Sequence, residues 1–131
     1  MCIFCDLANG RIKTYKIYDD DECCAFLDIS QATYGHCLVV PKEHFDDIFS
    51  LDEEVGAHLF KVAVTLAKKL KEKLQLEGIN ILNNNGEVAG QTVKHYHIHL
   101  IPRYKADDVL IEFKSNKLSD KDFEDLVEKL K

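Results

Sequence analysis

The chain has 131 residues, enough for one domain with one sizeable buried core. A hydrophobic fraction of 46% and a charged fraction of 31% exclude a disordered chain. The net charge of −6, from 17 Lys and Arg against 23 Asp and Glu, argues against duplex nucleic acid as a partner, although a nucleotide needs only a few local donors.

Residues 1–9 lack a basic start followed by a long apolar run, so no secretory leader is expected. Apolar runs such as Cys37–Pro41 are too short to span a bilayer, and the expected location is the cytoplasm with no membrane partner. The five cysteines are odd in number, with Cys23 and Cys24 adjacent; in a reducing compartment they read as free thiols or metal ligands. Thr14–Tyr18 and Glu22–Asp28 read as strands around the acidic turn Asp19-Asp20-Asp21, and Gly35–Pro41 as a third. Ser50-Leu51-Asp52-Glu53 is a capping-box pattern that opens a long helix. Val55, Leu59, Val62, Leu66, Leu70 and Leu74 recur along it at helical spacing, and Gly78 closes it. Lys68, Lys69, Lys71 and Lys73 read as a solvated helix face. Ile79–Asn83 is a fourth strand, Asn84–Gln91 a polar loop, and Val93–Arg103 a fifth strand. A last helix capped by Ser119 is expected to bury Phe123, Leu126, Val127 and Leu130. The order predicts an α+β fold, a mainly antiparallel five-stranded sheet with one long helix and a C-terminal helix. Residues 1–131 form a single domain, with a core at 2–103 and a variable segment at 104–131.

The segment His95-Tyr96-His97-Ile98-His99 carries the strongest functional signal. On a strand, alternate side chains share a face, so the three imidazoles project together while Tyr96, Ile98 and Leu100 face a core. Packing alone does not explain three histidines in strict alternation; metal binding and acid–base or nucleophilic catalysis both would. The preceding loop, with Gly86, Gly90, Asn84, Gln91 and Thr92, suits an anion approached by backbone. Cys2-Ile3-Phe4-Cys5 is a CxxC pair, half of a zinc site or else two reduced, metal-free thiols.

The stretch from Asn84 to His99, with Gly90-Gln91-Thr92-Val93 before the alternating histidines, resembles the signature of the histidine triad family. Phe26-Leu27-Asp28-Ile29 and His36-Cys37-Leu38-Val39-Val40-Pro41-Lys42 resemble its other landmarks in the same order, and Cys-Ile-Phe-Cys with Leu82-Asn83-Asn84-Asn85-Gly86 resembles the bacterial, zinc-bearing branch. The resemblance implies a nucleotide hydrolase that cleaves a nucleoside phosphoramidate or dinucleoside polyphosphate at the α-phosphate, needing no metal for chemistry. His97 would be the nucleophile, forming a nucleotidyl-histidine. His99, His36, Gln91 and Thr92 would assist. Asn84, Gly90, Gln91 and Thr92 would hold phosphate, Asp28 the ribose, and Phe4, Leu7, Phe26 and Ile29 the base of a purine nucleotide such as AMP. Cys2, Cys5, His44 and His95 would hold a structural zinc, and the chain would pair as a homodimer with its sheet extended across the pair. A nucleotide-binding regulatory module, a nucleotidyl transferase and a metalloenzyme using His95, His97 and His99 as ligands are the alternatives.

Overall fold

The structure is a computed structural model and describes residues 2–131; Met1, where the expected single domain begins, lies outside the described residues. Five strands, β1 (Lys16–Asp19), β2 (Cys23–Leu27), β3 (Cys37–Pro41), β4 (Gly78–Leu82) and β5 (Ile98–Arg103), form one antiparallel sheet in the order β1-β2-β3-β5-β4. Three α-helices accompany it among the described residues: α1 (Ile3–Ala8), α2 (Glu53–Leu74) and α3 (Asp120–Leu130). This is the expected α+β class. Among the described residues no helix is long and apolar enough to cross a membrane.

Strand alternation gives the sheet two unlike faces. Cys23, Ala25, Cys37, Val39, Tyr96, Ile98 and Leu100 form one core with Leu59, Val62, Ala63 and Leu66 of α2. Cys24, Phe26, Leu38 and Val40 point the other way and pack with Ala8, Phe4 and Leu7 of α1. Cys23, Cys24 and Cys37 are fully buried, and burial pushes their thiols up to about 12, 11 and 12, so they serve as packing groups. His58 of α2 donates to Asp20 at 2.7 Å, and Asp20 also accepts from Tyr18 and from the backbone of Glu22 and Cys23. That carboxylate ties α2 to the β1–β2 turn.

Several sequence expectations need correction. Helix α1 was not foreseen; its six residues are too few for a readable period. Helix α2 is capped by Asp52, whose carboxylate accepts from Glu54 and Val55. Ser50 instead donates its hydroxyl to Asp47. The helix ends at Gln75, in the left-handed region at φ 56°, before Gly78 is reached. The fifth strand begins at Ile98, not Val93. The ladder with β3 stops at Val39 and Ile98, because Pro41 has no N–H to donate and its carbonyl accepts from the His95 ring instead. Side-chain alternation persists through residues 95–97 all the same. The largest departure is α3. Its capping box is present, yet Phe123, Leu126, Val127 and Leu130 are all exposed.

Candidate functional site

The three histidines share the α1 side of the sheet but not a task. His95 is fully buried. Its Nε2–H donates to the Pro41 carbonyl at 2.8 Å, which leaves the Nδ1 lone pair facing Cys2 Sγ at 3.4 Å and Cys5 Sγ at 3.3 Å. His44 is arranged the same way: Nε2–H donates to Asp46 at 2.7 Å and Nδ1 lies 3.3 Å from Cys5 Sγ. The four ligand atoms lie within 4.8 Å of one another. Tetrahedral zinc with bonds of about 2.3 Å to sulfur and 2.0–2.1 Å to nitrogen puts S and N about 3.5 Å apart, so these separations fit. Oxygen acceptors on the far ring nitrogens are the usual outer support of metal-bound imidazoles. Cys2 and Cys5 flank the first turn of α1, so an ion here would pin that helix to the sheet.

His97 donates from Nδ1 to its neighbour's carbonyl, His95 O, at 2.7 Å. That bond fixes the tautomer and leaves Nε2 as a bare lone pair. The Asn83 side-chain amide donates to His97 O at 2.8 Å and holds the main chain just before β5 begins. A second chain of donors sets His99. The Ala32 backbone N–H donates to His36 Nδ1 at 3.1 Å, so His36 carries its proton on Nε2 and donates to His99 Nδ1 at 3.0 Å. His99 must then carry its own proton on Nε2. Gly35, with φ +98° and Leu74 Cδ1 only 2.6 Å from where a Cβ would stand, lets the chain turn tightly into β3 and deliver His36.

Burial lowers the proton affinity of His36, His95 and His97. It lowers His99 to about 4, with help from His97 and His36. The imidazoles are neutral at pH 7, as a nitrogen nucleophile requires. They do not converge on one point: His95 turns to the cysteines, His97 to a carbonyl and His99 to His36. A single ion held by all three, the metalloenzyme alternative, does not fit.

One cavity of 530 Å³ opens beside these rings. Phe4, Leu7, Phe26, Asp28, Ile29, Thr92, His97 and His99 line it together. Phe4 meets Phe26 and His97 edge-on, at ring-centre distances of 5.8 and 4.9 Å. Asp28 uses one oxygen to accept from the Ser30 backbone and keeps the other 3.6 Å from His36 Nε2. Asn84, Gly90 and Gln91 are not brought into this cavity. Asn84 donates weakly to Gly90 O at 3.5 Å. The Gln91 amide donates to Asp46 O and Val93 O and accepts from Gly86, so its polar atoms are spent on holding the loop. Sequence reasoning missed Ile12, Lys13, Thr14 and Tyr15 at the mouth, which had been read partly as strand, and the orienting roles of Ala32 and Asn83. Asp46, two residues after His44, was legible as an orienter only once His44 was placed.

The HIT domain profile matches residues 9–106. The protein Hit of Bacillus subtilis is 45% identical over 107 residues, 82% of this chain and 74% of the relative. An adenosine 5'-monophosphoramidase of Schizosaccharomyces pombe is 39% identical over 78% of this chain and 74% of its own. Among solved structures, a HIT family protein from Bacillus anthracis superposes with a TM-score of 0.92 at 45% identity, covering 98% of this chain and 94% of its own. A zinc-bound histidine triad family protein from Mycobacterium smegmatis has a TM-score of 0.79 at 34% identity, over 88% and 84%.

Proposed function

Because the chain belongs to the HIT domain family, we propose that it is a nucleotide hydrolase that cleaves the phosphorus–nitrogen bond of a nucleoside phosphoramidate, or the anhydride of a dinucleoside polyphosphate, at the α-phosphate. The observation that carries the reading is the free Nε2 of His97 at the wall of a cavity with an apolar end and an imidazole-lined end. The monophosphoramidase name of a relative sharing 39% of aligned residues supports the reaction class.

In this reading Phe4, Leu7, Phe26 and Ile29 grip the base, and Asp28 accepts from the ribose hydroxyls. His97 Nε2 attacks the α-phosphorus, and the bond to the leaving amine or phosphate breaks. His99, neutral with its proton on Nε2, donates a hydrogen bond to a phosphate oxygen, and the departing amine takes its proton from solvent water. His36 is a positioning residue that holds His99 in that tautomer. Thr92 reaches the cavity from the preceding segment, beside Val93, and offers a phosphate oxygen its hydroxyl. Water then opens the phosphorus–nitrogen bond to His97, releasing the nucleoside monophosphate. Fixed donors in a partly dry cavity stabilise the charge that builds on phosphorus without reorganising.

Zinc at Cys2, Cys5, His44 and His95 is a structural part of this proposal. It would anchor α1, and with it Phe4 and Leu7, while supplying no chemistry. The protein works as a homodimer joined along the free edge of β4; the exposed Ile81 and Leu82 there, and Phe60 and Val64 on α2, support such a face.

The test is a rapid-quench reaction with adenosine 5'-phosphoramidate. The expected result is an adenylyl mass adduct on the peptide that holds His97, and its loss together with turnover in His97→Ala. Turnover that survives in that variant would sink the proposal, as would AMP binding with no turnover in the wild type.

A further inference from the structure

Among the described residues, nothing packs over helix α3. Every one of its 11 residues is exposed, and Phe123, Leu126, Val127 and Leu130 are 42% to 76% exposed. These four recur at i, i+3, i+4 and i+7, a single apolar stripe. A helix this short is marginal in water unless something covers that stripe.

The same chain carries a groove of matching chemistry. Ile17 of β1 and Leu66, Leu70 and Leu74 of α2 line a hollow of 310 Å³, bordered by Lys69 and Lys73. On α3 the acidic pair Asp120 and Glu124 borders the stripe beside Phe123 and Val127. Both charged pairs are four residues apart, one turn and about 6 Å along a helix. None of these four charges takes part in an ion pair among the described residues. The charges on the outer side of α3 are already paired along the helix, Lys121 with Asp125 and Lys131 with Glu128. Asp120 and Glu124 beside the apolar stripe, and Lys69 and Lys73 beside the groove, are thus free to pair with each other.

We propose that α3 is an exchanged arm: it docks into the Ile17–Leu66–Leu70–Leu74 groove of a second copy of this chain, with Asp120 and Glu124 against the second copy's Lys69 and Lys73. On the leucine row of α2, Lys69 and Lys73 sit one residue before Leu70 and Leu74. On α3 the acidic residues sit one after or three before the apolar ones. Two facing helices bring such rows to the same side when they run parallel, so α3 lies parallel to α2. The lysine run then has a purpose beyond solvation. The arm goes to a second copy because α3 stands clear of its own groove.

Two charge-reversed chains separate this from docking within one chain. One carries Lys69→Glu and Lys73→Glu; the other carries Asp120→Lys and Glu124→Lys. Hydrogen exchange of the α3 amides is read by mass spectrometry in wild type, in each variant alone and in the two coexpressed. Alone, each variant sets like charges against each other and loses protection roughly tenfold, the scale of two surface ion pairs. Coexpressed, each arm meets the other chain's complementary groove, and protection returns. Wild-type α3 amides that exchange at the free-peptide rate would overturn the proposal. So would variants as protected as wild type. Failure of coexpression to restore protection would place the helix in its own chain and overturn it equally.

Discussion

Replacing His36 by alanine tests how the second histidine chain works. The side chain does two things: it accepts from Ala32 N–H and donates to His99 Nδ1 at 3.0 Å. Alanine leaves a half-buried His99 nitrogen without its donor and frees the ring to take the wrong tautomer. Losing the partner of a buried polar group costs about 1–3 kcal/mol. At 1.36 kcal/mol per decade this is roughly 5- to 160-fold in kcat. KM for the nucleotide should change little, because His36 stands behind His99, away from the base. Steady-state hydrolysis of an AMP-amidate with a fluorescent amine resolves the two parameters. Glutamine at position 36 can accept through its oxygen and donate through its nitrogen, so His36→Gln should recover part of the loss. A His36→Ala variant as inactive as His97→Ala would mean that His36 touches the reacting atoms. A variant with unchanged kcat, or a glutamine no better than alanine, would remove the positioning argument.

Metal removal should separate structure from chemistry. Chelation, or Cys2→Ser with Cys5→Ser, is expected to lower the melting midpoint by about 5 °C or more, since a structural site contributes directly to folding. KM should rise as α1 loosens around Phe4 and Leu7, while turnover at saturating nucleotide persists; kcat falling in step with metal content would contradict this. Stability should also depend on pH through His99, which Asp28, His36 and His97 face. Its folded proton affinity is lowered to about 4, first by burial and then by His97 and His36, against about 6.5 when unfolded. The unfolded chain therefore binds the extra proton. The contribution is full above about pH 6.5 and is lost as pH falls toward about 4. Urea midpoints across that window should slope less in His99→Asn than in wild type, and equal slopes would refute the linkage.

Local patterns were legible in the sequence, and partnerships across the chain were not. Alternation from His95 to Leu100 placed three rings on one side and Tyr96, Ile98 and Leu100 on the other, although hydrogen-bonded strand begins only at Ile98. Alternation needs extended backbone, while a ladder also needs donors, and Pro41 removes one. The apolar period of α3 was equally readable, but a period says that a face is to be covered and not by what. Gln91 has the right chemistry for phosphate, yet its amide is satisfied by Asp46, Val93 and Gly86. No local pattern announces a bond to a residue 45 positions away. The CxxC pair gave half of a ligand set, and its geometry with His44 and His95 appeared only once α1 was folded against β3.

The bond that keeps the proton off His97 Nε2 ends on a main-chain oxygen, and the one that sets His36 begins on a main-chain nitrogen. Peptide atoms are the same whatever side chain they carry. Residue 32 could drift over generations without erasing its instruction, provided the backbone path held, whereas residue 95 is fixed separately by its own ring, bonded to Pro41 and facing the two cysteines. What selection must guard is therefore the course of the loop before β3 and of the segment before β5, more than the identity of most neighbours. Lineages of this fold have latitude to remodel the rim of the cavity, and so to change what they bind, while the attacking nitrogen stays ready.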